Sequence, residues 1–260
     1  MKNIIITEEQ LKKIQKHQLN ESRNLVDNFD KISKLINLTD PDKFFFVQIL
    51  KRWKDNKDKG MTKKTDGTYH GGAEYGNFAN NSAFKVHNAQ ELLQLKPIII
   101  KYCNANNARA YITSNPRSES EINNFLPQYL KKQAAKNHGI VPSYEKKYGF
   151  EHLAGQTKDG YQWKDRPRFF FDIDTTDKRI WNTTKGILNQ YNIPIEDEYV
   201  TPSGGLHIII ADRFSIKNLS KVIDELRVFD GYKNLGKIQT VHANIDGKLI
   251  LYSNVDTKGY

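Results

Sequence analysis

Two short stretches of this chain combine residue types that can do chemistry. In Phe169-Phe170-Phe171-Asp172-Ile173-Asp174, two carboxylates stand one residue apart at the end of an apolar run. Alternate residues of a strand share a face, so Phe169, Phe171 and Ile173 point one way and Phe170, Asp172 and Asp174 the other. Two carboxylates this close repel, which raises one pKa unless something neutralises them, and a divalent cation does so with the oxygen ligands it prefers. The competing reading makes Asp174 or Thr175 a helix cap. It leaves Asp172 without an explanation.

The second stretch is Thr201-Pro202-Ser203-Gly204-Gly205-Leu206-His207. Its glycines let backbone N–H groups approach an anion, and Ser203 adds a hydroxyl donor. His207 is opposite in parity to Leu206, Ile208 and Ile210, so it faces away from a core and is placed to hold a phosphate. Alone, such a hairpin is plain structure; after the carboxylate pair it reads as the second half of a site. A third stretch, residues 231–238, nearly spells a P-loop. Ile238 replaces the metal-binding hydroxyl, so it reads as a loop and no helicase motor lies on this chain.

The elements that must carry these residues follow from periodicity. Strands at 168–174, about 197–201 and 206–211, helices at about 176–190 and 216–227, and strand material at 237–242 and 248–253 give the order β-α-β-β-α-β. That is an RRM-like sheet with both helices on one face and the carboxylates on the open one. Upstream, the spacing of apolar residues over 7–36 predicts a helical lead-in broken at Pro41, then a strand at 44–53 and a long basic loop. A helix at 88–95, strand material at 97–103 and 109–114, and a helix interrupted at Pro127 complete this half. The expected class is α+β: a lead-in over 1–40, an N-terminal α/β module over 41–155 and an RRM-like catalytic module over 156–260.

Composition narrows the partner. Forty Lys and Arg against thirty Asp and Glu give a net charge of +10, a field that concentrates polyanions, so nucleic acid is the first partner to consider. The one cysteine, Cys103, excludes an internal disulfide framework and a zinc site built on two thiolates. The seven histidines form no HxxxH pair. No apolar run reaches the ~18 residues that span a bilayer, and the apolar part of the first ten residues is too short for a signal peptide. The expectation is a cytoplasmic protein without a membrane partner.

The order of Phe-Phe-Phe-Asp-Ile-Asp and Thr-Pro-Ser-Gly-Gly-Leu-His resembles the first two signatures of the archaeo-eukaryotic primase superfamily, in particular its primase-polymerase branch. There, hydrophobic-Asp-hydrophobic-Asp is followed by Ser-x-His or Ser-Gly-Gly-x-His. The resemblance covers mainly residues 165–255, and the segment 108–118, which ends in Asn115-Pro116-Arg117-Ser118, is similar to a strand and turn of the N-terminal module. It implies a DNA-dependent nucleotidyltransferase. Asp172 and Asp174, with Asp246 as third acid, would hold two Mg²⁺ or Mn²⁺ ions about 3.5–4 Å apart. Ser203, Gly204, Gly205 and His207, helped by Arg117, would bind an incoming NTP or dNTP. Arg52, Lys54, Lys63 and Lys64 of the basic loop would follow a single-stranded DNA template, and any helicase would be a separate protein.

The third acid is where the sequence departs from the family pattern. Asp246-Gly247 is also a hairpin-turn dipeptide. Asp230 and Asp256 are alternatives, and Thr240 could stand in the acid's place. This leaves two rivals: a catalytically degenerate protein that binds nucleic acid or nucleotide without turnover, and a metal-dependent nuclease using Asp172, Asp174 and His207.

Overall fold

The aromatic and β-branched run Phe44-Phe45-Phe46-Val47 is buried on both faces because it is apolar on both. In the computed structural model, which describes residues 25–51, 83–155, 168–210, 221–222, 224–226, 241–244 and 247–255, it lies in strand β2 (Lys43–Leu50). One face of β2, with Phe45, Val47 and Ile49, packs into the main core with Leu92, Ile99 and Cys103. The other face, with Phe44 and Phe46, packs with Ile122 and Leu153. A strand buried on both faces needs helices on each side.

Those helices are α1 (Phe29–Ser33) and α2 (Ala89–Asn106) on the main-core side, and α3 (Glu119–Lys136) and α4 (Ser143–Gly155) on the other. Helix α2 starts where the Asn88 side chain accepts the Glu91 N–H at 2.9 Å and ends at left-handed Asn107, φ 47°. The strand expected over 97–103 is therefore helical. Ile98, Ile99 and Ile100 mimic a strand locally, but Leu92, Ile99 and Cys103 share one buried helix face. Helix α3 likewise runs through Pro127. It is capped by Ser118, whose Oγ accepts the Glu121 N–H at 3.1 Å.

The fold is mixed α/β with two antiparallel sheets. The first has the order β1 (Val26–Asp27), β10 (Lys248–Ser253), β4 (Arg109–Thr113), β2, β3 (Ala83–Val86), with β5 (Arg117–Ser118) also on β2. The second has the order β7 (Ile195–Val200), β8 (Leu206–Ile210), β6 (Phe169–Ile173), β9 (Val241–Asn244). Helix α5 (Lys178–Gln190) and a helical segment bearing Val222 and Leu226 cover one face, over Phe169, Phe171, Ile173, Ile208 and Ile210.

Two expectations change here. Residues 248–253 return to the first sheet between β1 and β4, so the chain does not divide cleanly at 155. Leu249, Ile250, Leu251 and Tyr252 are all buried, as a strand with apolar neighbours on both sides requires. The second face of the second sheet is also not open throughout, because Phe170, Tyr199 and Ile209 join the core of the first sheet.

The sheets are stitched where β4 ends. Asn115 accepts the Arg168 N–H and donates Nδ2 to the Arg168 carbonyl at 3.0 Å. Ser114 exchanges hydrogen bonds with Gly247 at 2.9 and 3.1 Å. The segment 1–24, which holds most of the expected lead-in, lies outside the described residues. From residue 25 the chain forms β1 and the five-residue α1. Among the described residues no helix is long and apolar enough to cross a membrane.

Candidate active site

Strand pairing determines which side chains meet. Asp172 on β6 is in register with His207 on β8, and His207 with Tyr199 on β7. Directly opposed residues of antiparallel strands share a face, so the three form a row across the sheet. His207 Nε2 lies 3.1 Å from Asp172 Oδ1, with the histidine side chain 7% and the aspartate 30% exposed. On its other side His207 Nδ1 is 3.2 Å from the Tyr199 hydroxyl, and the ring tilts against Phe170 at 5.0 Å. Burial, then the charges of Asp172 and Asp197, pushes the Tyr199 phenol well above its usual range.

The Ser-Gly-Gly segment forms the hairpin between β7 and β8. Gly204 has φ 81° and its N–H donates to the Thr201 carbonyl at 2.9 Å, while the Thr201 N–H donates to the Gly205 carbonyl at 2.9 Å. A turn with Pro202 first and a left-handed glycine third suits a three-residue loop. Gly205 is required by packing: a Cβ there would sit 2.1 Å from the Ile173 carbonyl oxygen. The glycines thus hold β8 against the end of β6. The Gly204 N–H, expected to face an anion, closes the turn instead. Ser203 stays exposed, its Oγ 3.0 Å from Thr201 Oγ1.

The capping alternative for the carboxylates is resolved by Asp177, which is the N-cap of α5 and accepts the Arg179 N–H at 2.9 Å. Thr175 Oγ1 accepts the Asp177 N–H at 3.2 Å. Asp174 lies outside the helix, exposed at the end of β6.

A recess of about 100 Å³ is lined from both sheets: Asp172, Asp174, Ser203 and His207 form the wall contributed by the second, and Arg109, Tyr111, Lys248 and Ile250 the wall contributed by the first. Arg109 is 4% exposed. Lys248 donates Nζ to Gln48 Oε1 at 2.6 Å, and burial, followed by the neighbouring Arg117 cation, lowers its amine to about 8. The sequence reading missed Arg109 and Lys248. Arg109 and Tyr111 share a parity opposite to the buried Ala110 and Ile112. Only the pairing of Lys248 with Thr113 puts Lys248 on the same face.

Arg117 does not reach the recess. It is fully buried and donates Nε to the Ala154 carbonyl at 3.1 Å and Nη1 to the Asn115 carbonyl at 3.0 Å. A cation at the last turn of α4 is favoured by the helix dipole, so its work is structural. Asp246, Asp230, Asp256 and Thr240 lie outside the described residues, as do Arg52, Lys54, Lys63 and Lys64 of the expected template loop. Among the described residues no group of three His, Cys, Asp or Glu side chains is arranged to hold a metal ion. The oxygen donors on one wall, Asp172 and Asp174, are of the type that Mg²⁺ and Mn²⁺ select.

Comparison with protein-family models, with curated proteins and with solved structures gives no match for this chain.

Proposed function

We propose that the recess binds the metal-bound phosphates of a nucleoside triphosphate and that the protein is a DNA-dependent nucleotidyltransferase of the primase-polymerase type. The observation that carries this reading is that Asp172 and Asp174 of one sheet and Arg109 and Lys248 of the other line a single recess. A polyphosphate with its cations needs both kinds of wall: carboxylates for the metal, and fixed cations for the phosphate oxygens. The β-α-β-β connection and the order β7-β8-β6-β9 support the RRM-like reading of the second sheet.

Divalent ions held by Asp172 and Asp174 would activate a 3′-hydroxyl and neutralise charge on the leaving pyrophosphate. Arg109 and Lys248 bind and orient the phosphates from the first sheet. Ser203, at the rim, donates its hydroxyl. His207 holds Asp172, because both ring nitrogens are already engaged within the protein. That arrangement also removes it as the water-activating base of a nuclease. Binding without turnover is the second reading, favoured by there being two carboxylates, not three, on the described wall.

Incubation with Mn²⁺, a single-stranded DNA template and labelled nucleotides tests the proposal. Extension by the parent, lost in the Asp172→Ala/Asp174→Ala variant with its far-UV and near-UV circular dichroism unchanged, is the expected result. Binding of nucleotide without extension would select the second reading, and equal extension by parent and variant would eliminate the assignment of the two carboxylates.

A further inference from the structure

We propose that Tyr199 is a positioning residue that acts through His207 to hold the Asp172 carboxylate in the geometry a divalent cation requires; this rests on the reading of Asp172 as a metal ligand. The geometry supports it. Tyr199, His207 and Asp172 lie in one row across β7, β8 and β6. Tyr199, as proposed, donates its hydroxyl to His207 Nδ1, 3.2 Å away. In that arrangement Nε2 carries the ring proton and donates to Asp172 Oδ1, 3.1 Å away. The relay runs from the phenol of β7 to the carboxylate of β6.

Three features make it a device and not a chance contact. Tyr199 is 3% and His207 6% exposed, so bulk water competes poorly for either group. The phenol keeps its proton because burial and the charges of Asp172 and Asp197 both oppose ionisation. His207 and Asp172 both line the recess beside Asp174, so the relay ends at the wall that carries the acids. A histidine donating to a carboxylate limits rotation of that carboxylate, as outer-shell partners of metal ligands do.

The test uses the full chain with ¹⁵N-labelled histidine. Long-range ¹H–¹⁵N spectra of the parent should show His207 with the proton on Nε2, and Tyr199→Phe, which keeps the ring and removes the hydroxyl, should show a mixture of tautomers. Mn²⁺ affinity, read by electron paramagnetic resonance without substrate, should fall roughly tenfold in Tyr199→Phe, at the low end of the range for outer-shell partners. A purely structural role would lower the melting temperature and leave Mn²⁺ affinity alone. Should Tyr199→Phe fail to fold, His207→Gln, whose amide can still donate to Asp172, should keep more Mn²⁺ affinity than His207→Ala. A parent spectrum with the proton on Nδ1, or unchanged Mn²⁺ affinity in folded Tyr199→Phe, overturns the proposal. A parent that binds no Mn²⁺ overturns the underlying metal reading, while its tautomer still decides whether the relay exists.

Discussion

Lys248→Met should make this protein more stable and a poorer binder of nucleotide. Its amine falls from 10.5 to about 8, with burial the larger cause and the Arg117 cation the smaller. At about 1.4 kcal/mol per pH unit, keeping that amine charged in the folded chain at neutral pH costs about 3 kcal/mol. Methionine keeps the length and most of the apolar stem but carries no charge. It loses the hydrogen bond to Gln48, which is worth about 1 kcal/mol. The expected net gain at pH 7 is therefore about 1–2 kcal/mol.

The sign with pH is fixed by the same numbers. Below about pH 8 both folded and unfolded chains carry the charge and the penalty is complete. Between about 8 and 10.5 the unfolded chain holds more protons at this residue, so the stability of the parent rises with pH relative to the variant. Urea unfolding of both proteins from pH 6 to 10.5 should show a gap that is flat to about pH 8 and then closes. Nucleotide affinity at pH 7 should fall tenfold or more in the variant, the loss of one charge-assisted hydrogen bond. A variant that is less stable than the parent at pH 7, with no change of the gap on raising the pH, would refute the argument that burial of this cation is costly.

Two further substitutions separate packing from chemistry. Gly205→Ala should destabilise by about 3 kcal/mol or more, because the new Cβ meets the Ile173 carbonyl at 2.1 Å and neither strand can yield; Gly204→Ala should cost about 1–2 kcal/mol for its left-handed backbone, and urea unfolding that ranks the pair the other way would reject this reading of the turn. Arg117→Met should destabilise by about 3–5 kcal/mol by unpairing buried carbonyls, yet leave nucleotide affinity of the folded fraction within about twofold; a selective loss of affinity in calorimetry would return Arg117 to the site.

What the sequence made legible was local. Asp172 and Asp174 follow from a period of two within one strand, and the core beneath them from Phe169, Phe171 and Ile173. The Ser-Gly-Gly turn is also local, but its reason was not: Gly205 is glycine because of Ile173, on another strand. Residues 98–100 were read as strand because three isoleucines in a row say nothing about the helix face shared by Leu92, Ile99 and Cys103. Arg117 was expected at the nucleotide because nothing near it in sequence announces that its guanidinium bonds the Ala154 carbonyl at the end of α4. Arg109 and Lys248 were invisible as a pair, since they meet only when β10 crosses back to β4. Non-local strand pairing is what a linear pattern does not encode.

That crossing explains how the recess keeps its charge. If Lys248 and Asp172 closed on each other, a ligand would have to break the pair before it could bind. Instead Asp172 is held by His207 within the second sheet, and Lys248 by Gln48 within the first. Each is restrained by a partner on its own wall, so the opposed charges stay apart and pre-oriented, at a cost in stability that is visible in the lowered Lys248 amine. A ligand that carries phosphates toward Lys248 and Arg109, and cations toward Asp172 and Asp174, meets both walls at once. A plain anion or a plain metal ion relieves only one wall. On the proposed reading, the metal complex of a polyphosphate therefore binds better than either component alone, and nucleotide and metal each raise the affinity for the other.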